Sequence, residues 1–284
     1  MRSRRLGGAL KRYREAAKLD QQHAAEHIAG SKTKISRIET GQVSARPGDV
    51  RLMLELYGVE DREVYLQLEQ LARDSNKRGW WLDFPFVTRD EGFTDVVTLE
   101  TDANYIQTWH PLFIPGMLQT DEYVRTLLRH KAVRDNQIID EAVAIRQARR
   151  KIITDKGTSF AAVIWEPALT APMPSSETHR EQLQHIIDLV ERPNVSVQVL
   201  PLSEWQAAHL STHFTMFNFG PEPGPQAVAF DTTTSSVLFE DLAEMATHAR
   251  IFEELRAAAL TREQSISFVR KTMKGIPRSE NETE

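Results

Sequence analysis

The sequence predicts an all-α N-terminal domain of five helices over residues 1–75, followed by an α+β domain over residues 76–275. Three observations predict this division. Apolar residues recur at helical spacing in the first part, short runs of alternating apolar residues appear only in the second, and the two parts differ in charge. At about 100–200 residues per domain, a length of 284 residues suggests one large domain or two unequal ones, and the three observations above favour two. We expect the second domain to contain a small, mainly antiparallel sheet covered by helices, and residues 276–284 to form a flexible tail.

The charge of the chain is unevenly distributed. Residues 1–58 contain 12 Lys and Arg against six Asp and Glu, a net charge of +6, whereas the whole chain carries −5. The remaining residues therefore carry −11. A basic N-terminal part on an acidic protein predicts that only this part meets a polyanion.

Composition excludes several classes of protein. The chain has no cysteine, so disulfides, thiolate metal sites and cysteine nucleophiles are excluded. No apolar run approaches the roughly 18–20 residues needed to span a bilayer, and the basic start lacks the apolar stretch of a secretory signal. We expect a cytoplasmic protein with no membrane contact, no metal and no cofactor.

The five N-terminal helices follow from apolar spacing and from residues that start or stop helices. Asp20 and Ser31 are good N-caps, Gly41 suits the left-handed residue after a helix, and Pro47 suits a first turn. The expected helices are Leu6–Lys18, Gln21–Ile28, Lys32–Thr40, a fourth from Pro47 to about Tyr57, and Arg62–Asp74.

The second and third helices have the spacing of a helix-turn-helix. Ala25 is a small residue at the expected crossing point, and Ile35 and Ile38 are branched apolar anchors. In this motif the second helix lies in the major groove of DNA, with its N-terminal residues on base edges. The residues left on its outer side are Lys32, Thr33, Lys34, Ser36 and Arg37.

Two further features could contact the DNA backbone. Gln21 lies at the amino end of the second helix, where the side chain and backbone N–H groups can hold a phosphate. Arg2, Arg4 and Arg5 predict a basic arm that follows the backbone or enters the minor groove. The alternative interpretation is a helical protein-interaction domain with a charged outer face.

The stretch LDQQHAAEHIAGSKTKISRIETGQ resembles the Xre, or phage-repressor-like, class of helix-turn-helix regulators. The resemblance implies that Gln21 and Gln22 lie at the phosphate- and base-contacting start of the first motif helix. It places Lys32, Thr33, Ser36 and Arg37 on the recognition surface. The class usually has glycine at the first turn position, where this chain has Ala29 followed by Gly30. Because left-handed alanine costs about 1 kcal/mol, we expect the turn to shift so that Gly30 takes that position.

The second part alternates between helical patterns and short apolar runs. The expected strands are Tyr105–Trp109, Phe160–Trp165, Val195–Leu200, Phe214–Phe219, Val228–Phe230 and Val237–Glu240. The expected helices are Phe93–Ala103, a helix capped by Thr120 and ending at His130, Ile138–Asp155, Thr178–Glu191, Leu242–Leu260 and Glu263–Met273. Turns are expected at 220–225 and 231–234.

Several groups in this part allow a functional and a structural interpretation. His209 and His213 could bind a metal from one helix face, but no neighbouring acid completes a metalloprotease motif. Glu166, directly after an apolar strand, suits either a site acid or a structural hydrogen bond. The run Arg146, Arg149, Arg150, Lys151 could contact phosphates or form a solvated helix face. There is no GxSxG, phosphate-loop or GxGxxG motif, and we expect no enzymatic activity and no catalytic residue.

Four segments of the second part resemble the C-terminal domain of a large actinobacterial family of regulators, which includes WhiJ-like developmental regulators. These segments are RGWWLDF, PLFIPGMLQTDEYVRTLL, HREQLQHIIDLVERPNVSVQVLPL and FEELRAAALTREQSISFVR. The family pairs this domain with an Xre-type motif. The resemblance implies a DNA-binding regulator, often encoded beside a small partner protein and described as antitoxin-like. Its C-terminal domain is regarded as a sensing or protein-binding module.

The sequence therefore predicts a transcriptional regulator that binds double-stranded DNA as a homodimer and is modulated through its C-terminal domain by a small partner protein or a ligand. A dimer is expected because one recognition helix buries less than the roughly 1,000 Å² typical of specific binding. The alternative is an antitoxin-like protein that chiefly binds and neutralises a small partner protein, with DNA binding for autoregulation. A third alternative is an enzyme in the C-terminal domain that uses the N-terminal domain for targeting.

Overall fold

The computed structural model describes residues 1–88, 90–131, 133–220, 224–231 and 236–277. The chain divides into two compact units, the first built on Met1–Trp80 and the second beginning at Trp81. No helix of the described residues combines the length and the apolar character that a bilayer crossing requires.

The first unit is helical throughout and confirms the five predicted helices. Their bounds are α1 Arg2–Ala16, α2 Gln21–His27, α3 Lys32–Glu39, α4 Pro47–Leu56 and α5 Arg62–Asp74. Side chains of Asp20, Ser31 and Asp61 cap α2, α3 and α5, and Pro47 opens α4. One apolar core, which includes the fully buried Ile35 and Ile38, joins all five helices.

The predicted basic arm is wrong, because α1 begins at Arg2 and contains Arg2, Arg4 and Arg5. The N-terminal half of α1 lies against the end of α3. A Cβ at Gly7 would overlap the carbonyl oxygens of Ile38 and Glu39, and one at Gly41 (φ +72°) would lie 2.5 Å from the Arg4 Cα atom. This close approach holds the first residues in the helix.

The predicted shift of the turn between α2 and α3 is also wrong. Ala29 itself is left-handed, with φ +49°. The N–H of Gly30 donates to the carbonyl of Ala25 at 2.8 Å, and that of Ala29 to Glu26 at 3.1 Å. These two bonds form a Schellman motif, which requires the left-handed residue at position 29 because α2 ends at His27.

The second unit combines nine helices of the described residues with one sheet. Those helices are α6 Pro85–Thr88, α7 Glu91–Asp102, α8 Asp121–His130, α9 Asn136–Thr154, α10 Glu166–Thr170, α11 Ser176–Leu189, α12 Trp205–Ala208, α13 Leu242–Ala258 and α14 Arg262–Gly275. Short 3₁₀ turns cover Trp80–Asp83, Gly116–Leu118 and Leu202–Glu204. The helix capped by Thr120 is confirmed with the predicted end at His130.

The sheet has six strands in the described part of the chain. Their bounds are β1 Tyr105–His110, β2 Ser159–Trp165, β3 Val195–Leu200, β4 Phe214–Asn218, β5 Ala227–Asp231 and β6 Ser236–Phe239. The order is β3-β2-β1-β4-β5-β6. The pairs β1–β2 and β2–β3 are parallel, and the other three pairs are antiparallel. The mainly antiparallel prediction is confirmed, and the parallel part follows from the helical crossovers between β1, β2 and β3.

Helices cover this sheet as predicted. α13 packs on the face that presents Trp109 and Phe214, and its Phe252 completes a fully buried aromatic core there. The predicted turns at 220–225 and 231–234 fall largely, and the tail from residue 278 wholly, outside the described residues.

Candidate nucleic-acid interface

The start of α2 is exposed and is held by a carboxylate. The side chain of Asp20 accepts hydrogen bonds from the N–H groups of Gln22 (2.8 Å) and His23 (3.0 Å), and lies 2.9 Å from Nδ1 of His23. The bonds from the backbone and ring of His23 lower the pKa of Asp20. A negative charge therefore stands where a DNA phosphate is expected to approach.

α3 presents a polar, cationic side on an apolar base. Lys32, Thr33 and Arg37 are exposed and Ser36 is half-buried, whereas Ile35 and Ile38 are at most 1% exposed. No ion pair among the described residues engages Lys32 or Arg37. These cations can therefore meet an anionic partner.

Lys34, the remaining predicted contact on α3, has a different environment. Its Nζ lies 2.7 Å from Oδ2 of Asp49 in the first turn of α4, and its side chain is 38% exposed. The structure brings Lys32, Thr33, Ser36 and Arg37 together, and directs Lys34 towards α4.

The two glutamines at the start of α2 make different bonds. Nε2 of Gln21 donates to Oε2 of Glu39 at 2.9 Å, so its amide is directed into the unit. Nε2 of Gln22 donates to Glu26 on the exposed side of α2. Their contacts with phosphate or bases stay predictions.

Glu39 is a residue that sequence reasoning missed. Its carboxylate accepts hydrogen bonds from Nε (2.7 Å) and Nη2 (2.9 Å) of Arg14, in addition to the bond from Gln21. It thereby ties the end of α3 to α1 and α2. The available signal was its spacing, because residue 39 lies four positions after Ile35 and shares its buried face.

Tyr57 completes this buried group. Its hydroxyl is buried and has no hydrogen-bond partner in the described structure. Burial, followed by the negative charge of Glu39, raises its pKa to about 12, so the phenol stays neutral.

The candidate site residues of the second unit make contacts within the protein. Glu166 accepts a hydrogen bond from the N–H of Leu202 at 2.8 Å, as expected for a structural role. His209 follows the last residue of α12 and its ring bonds to the carbonyl of Trp205, while His213 stacks on His110, so the two do not share a helix face. The described residues include no group of three or more histidines and acids that could hold a metal.

The basic run on α9 is largely engaged within the second unit and is not the solvated helix face that was one of its two interpretations. Arg149 donates two hydrogen bonds, of 2.7 and 2.6 Å, to the buried carboxylate of Glu100. Arg146 and Arg150 donate to the side chain and carbonyl of Gln119. These three arginines hold the interior of the second unit together, and only Lys151 is exposed.

Comparison with protein families agrees with both units. Residues 5–66 match a family model described as a helix-turn-helix domain. Residues 93–271, more than half of the chain, match the Domain of unknown function (DUF5753). The chain belongs to the DUF5753 family. The DUF5753 match begins within α7 and ends within α14, so it contains the whole six-stranded sheet.

The helix-turn-helix match covers α2, α3 and α4 completely and parts of α1 and α5. No curated protein and no solved structure matches this DUF5753 chain. The helix-turn-helix domain indicates a DNA-binding regulator.

Proposed function

We propose that this DUF5753 protein is a sequence-specific transcriptional regulator of the Xre type, in which α3 enters the major groove. The observation that carries the proposal is the exposed pair of cations, Lys32 and Arg37, on a helix whose other face is fixed in the core. Arg37 suits a bidentate contact with guanine. Lys32 and Thr33 are the first two residues of α3, where a recognition helix contacts base edges. Ser36 lies between them, and Gln21 and Gln22 lie nearby on the helix before.

The test is selection of preferred duplexes from a random library with the full chain, followed by titration of Arg37→Ala. The variant should lose about 1–3 kcal/mol of binding free energy and the base preference at one position. Arg62→Ala is the matched control, because Arg62 is an exposed arginine at the start of α5. Equal affinity of wild type and Arg37→Ala for the selected duplex would contradict this docking.

Salt dependence provides an independent measurement. Neutralised phosphates release counterions, so the affinity should fall steeply between about 50 and 200 mM salt. An affinity that does not change with salt concentration would argue against binding of a polyanion by the first unit.

We further propose that the protein binds DNA as a homodimer in the cytoplasm. A single helix-turn-helix unit of this size buries little surface against DNA, whereas specific protein–DNA interfaces usually bury about 1,000 Å² or more of protein surface. Footprinting of the selected duplex should show two half-sites separated by a helical turn or a multiple of it. A single asymmetric footprint would contradict the dimer.

The DUF5753 unit is proposed to receive a regulatory signal from a small partner protein or a ligand, without catalytic activity. The net charge of −10 over residues 81–284, from 19 Lys and Arg against 29 Asp and Glu, supports a surface that avoids DNA and is available for another partner. The alternative is an antitoxin-like role, in which the main function is to bind and neutralise a small partner protein and DNA binding serves only autoregulation. Pull-down of the neighbouring gene product with and without the selected duplex distinguishes them, since an antitoxin-like protein should hold its partner without DNA.

A further inference from the structure

The ion pair between Lys34 and Asp49 joins the first turns of α3 and α4. Asp49 is the third residue of α4 and its side chain is 17% exposed. Among the described residues, no other ion pair connects these two helices. The pair therefore adds a polar contact between the two helices at the N-terminal end of α3, where base contacts are expected.

The position of Asp49 is fixed by its own helix. Pro47 opens α4, Arg46 provides no side-chain cap, and Val50, the next residue, is fully buried. A carboxylate in the first turn is favoured by the positive end of the helix dipole. Asp49 is thus a stationary anion against which the flexible lysine side chain is held.

α3 is consequently held at both ends by different helices. Its last residue, Glu39, bonds to Arg14 of α1, and its third residue, Lys34, bonds to Asp49 of α4. Because the Lys34 side chain is 38% exposed and solvent screens the pair, the pair contributes only about 0–1 kcal/mol to stability. Specific contacts with bases, however, need side chains within roughly 0.5 Å and 10–20° of the required geometry. Even a weak ion pair at the N-terminal end of α3 therefore affects recognition.

From this geometry we propose that Lys34 and Asp49 are positioning residues, which set the angle of α3 and do not contact DNA. The inference rests on the proposed DNA binding and assigns Lys34 a role different from that of Lys32 and Arg37. Its distinguishing consequence is a loss of specificity when the pair is broken, with no change in the number of neutralised phosphates.

The experiment compares wild type, Lys34→Gln, Asp49→Asn and the double variant in the full chain. Each binds the selected duplex and a random-sequence duplex over a series of salt concentrations. Each single variant should bind the selected duplex about 5–10-fold more weakly, and the random duplex within about twofold of wild type. The double variant should be no weaker than either single one, because both remove the same tie.

Two further variants provide controls. Lys34→Arg keeps a cation that can pair with Asp49 and should retain the affinity of wild type to within about twofold. Glu60→Gln removes an exposed acid from the connection between α4 and α5 and should leave the preference for the selected duplex unchanged. Thermal unfolding confirms that every variant is folded at the assay temperature.

The opposite result has a distinct signature. If Lys34 contacts phosphate, Lys34→Gln weakens binding to both duplexes and lowers the salt slope by about one, while Asp49→Asn tightens binding by freeing the lysine. That result, or wild-type behaviour of both single variants, overturns the inference and leaves the proposed function intact. If no duplex is selected by the wild type, the proposed function fails and the inference fails with it.

Discussion

Arg14 and Glu39 form a buried, doubly hydrogen-bonded ion pair that joins α1 to the last residue of α3. Their side chains are 9% and 2% exposed, and the two bonds measure 2.7 and 2.9 Å. Donating these hydrogen bonds to the Glu39 carboxylate raises the pKa of Arg14, which therefore stays charged. Nη1 of Arg14 also donates to the carbonyl of Leu19 at 2.7 Å, so the same guanidinium fixes the chain that leads into α2.

Glu39→Gln should destabilise the first unit by about 3–5 kcal/mol, because the buried guanidinium of Arg14 loses its counter-charge. Chemical denaturation of the full chain, followed by circular dichroism, measures this change. Glu15→Gln is the control, since Glu15 is 55% exposed at 3.7 Å from Arg14 and should change stability by less than about 1 kcal/mol. Similar effects of the two substitutions would contradict a dominant role for Glu39.

Gly7→Ala and Gly8→Ala should change stability in opposite directions. A methyl group at position 7 would overlap the backbone at the end of α3, whereas at position 8 the nearest atom is Nη1 of Arg12 at 3.9 Å. We expect Gly7→Ala to cost about 2 kcal/mol or more, and Gly8→Ala to gain about 0.5–1 kcal/mol from helix propensity. The midpoints of denaturant unfolding test the pair, and equal shifts would argue against the close contact of α1 with α3.

Ala29→Gly should stabilise the first unit by about 1 kcal/mol. The gain comes from relief of the left-handed alanine at φ +49°. Ala16→Gly, at an exposed position in the last turn of α1, should instead destabilise by about 0.5–1 kcal/mol. A loss of stability in Ala29→Gly would mean that residue 29 does not adopt the left-handed conformation.

The stability of the second unit should fall as the pH drops from about 7 to about 4. Burial, followed by the charge of Arg150, lowers the pKa of His185 to about 4, whereas an unfolded histidine titrates near 6.5. Between these values the unfolded chain binds the additional proton, so protonation favours unfolding.

His185→Gln should remove about 1–2 kcal/mol of this pH dependence, a figure reduced for partial exposure. Tryptophan fluorescence reports the unit, because Trp81, Trp109, Trp165 and Trp205 all lie in it. His130→Gln, at an exposed position on α8, should leave the pH profile as in wild type. An unchanged profile in His185→Gln would exclude this histidine as the source.

Asp20→Ser should tighten binding to the selected duplex about two- to fivefold at low salt. Serine keeps the N-cap of α2, and the substitution removes a negative charge beside the expected phosphate. Asp61→Ser is the matched control, because Asp61 caps α5 in the same way. Equal effects at both positions would indicate a general change in net charge and would not support a phosphate beside α2.

Local patterns predicted most helices and strands, because caps and apolar periodicity act over a few residues. Asp20, Ser31 and Thr120 start helices where they were expected to do so. The core anchors of α3, Ile35 and Ile38, follow from the same reasoning. The exposed candidates Lys32, Thr33 and Arg37 follow from it as the opposite face.

Contacts between distant segments could not be predicted from such patterns. Arg149 pairs with Glu100 across 49 positions of sequence, so its burial was not visible in the run of basic residues around it. Arg2 belongs to α1 because its neighbours pack on α3, and Ala29 is left-handed because the end of α2 requires it. In each case a tertiary or backbone constraint outweighed the local preference.

The fixing of α3 at both ends has a kinetic consequence for the proposed DNA binding. The exposed side of α3 is already ordered in the free protein, so it loses little conformational entropy when it binds a duplex. Encounter rates should then be similar for all sequences, because electrostatic attraction governs them. Specific and non-specific DNA sequences would then differ mainly in their dissociation rates, and the protein would leave a specific site slowly and a non-specific site quickly.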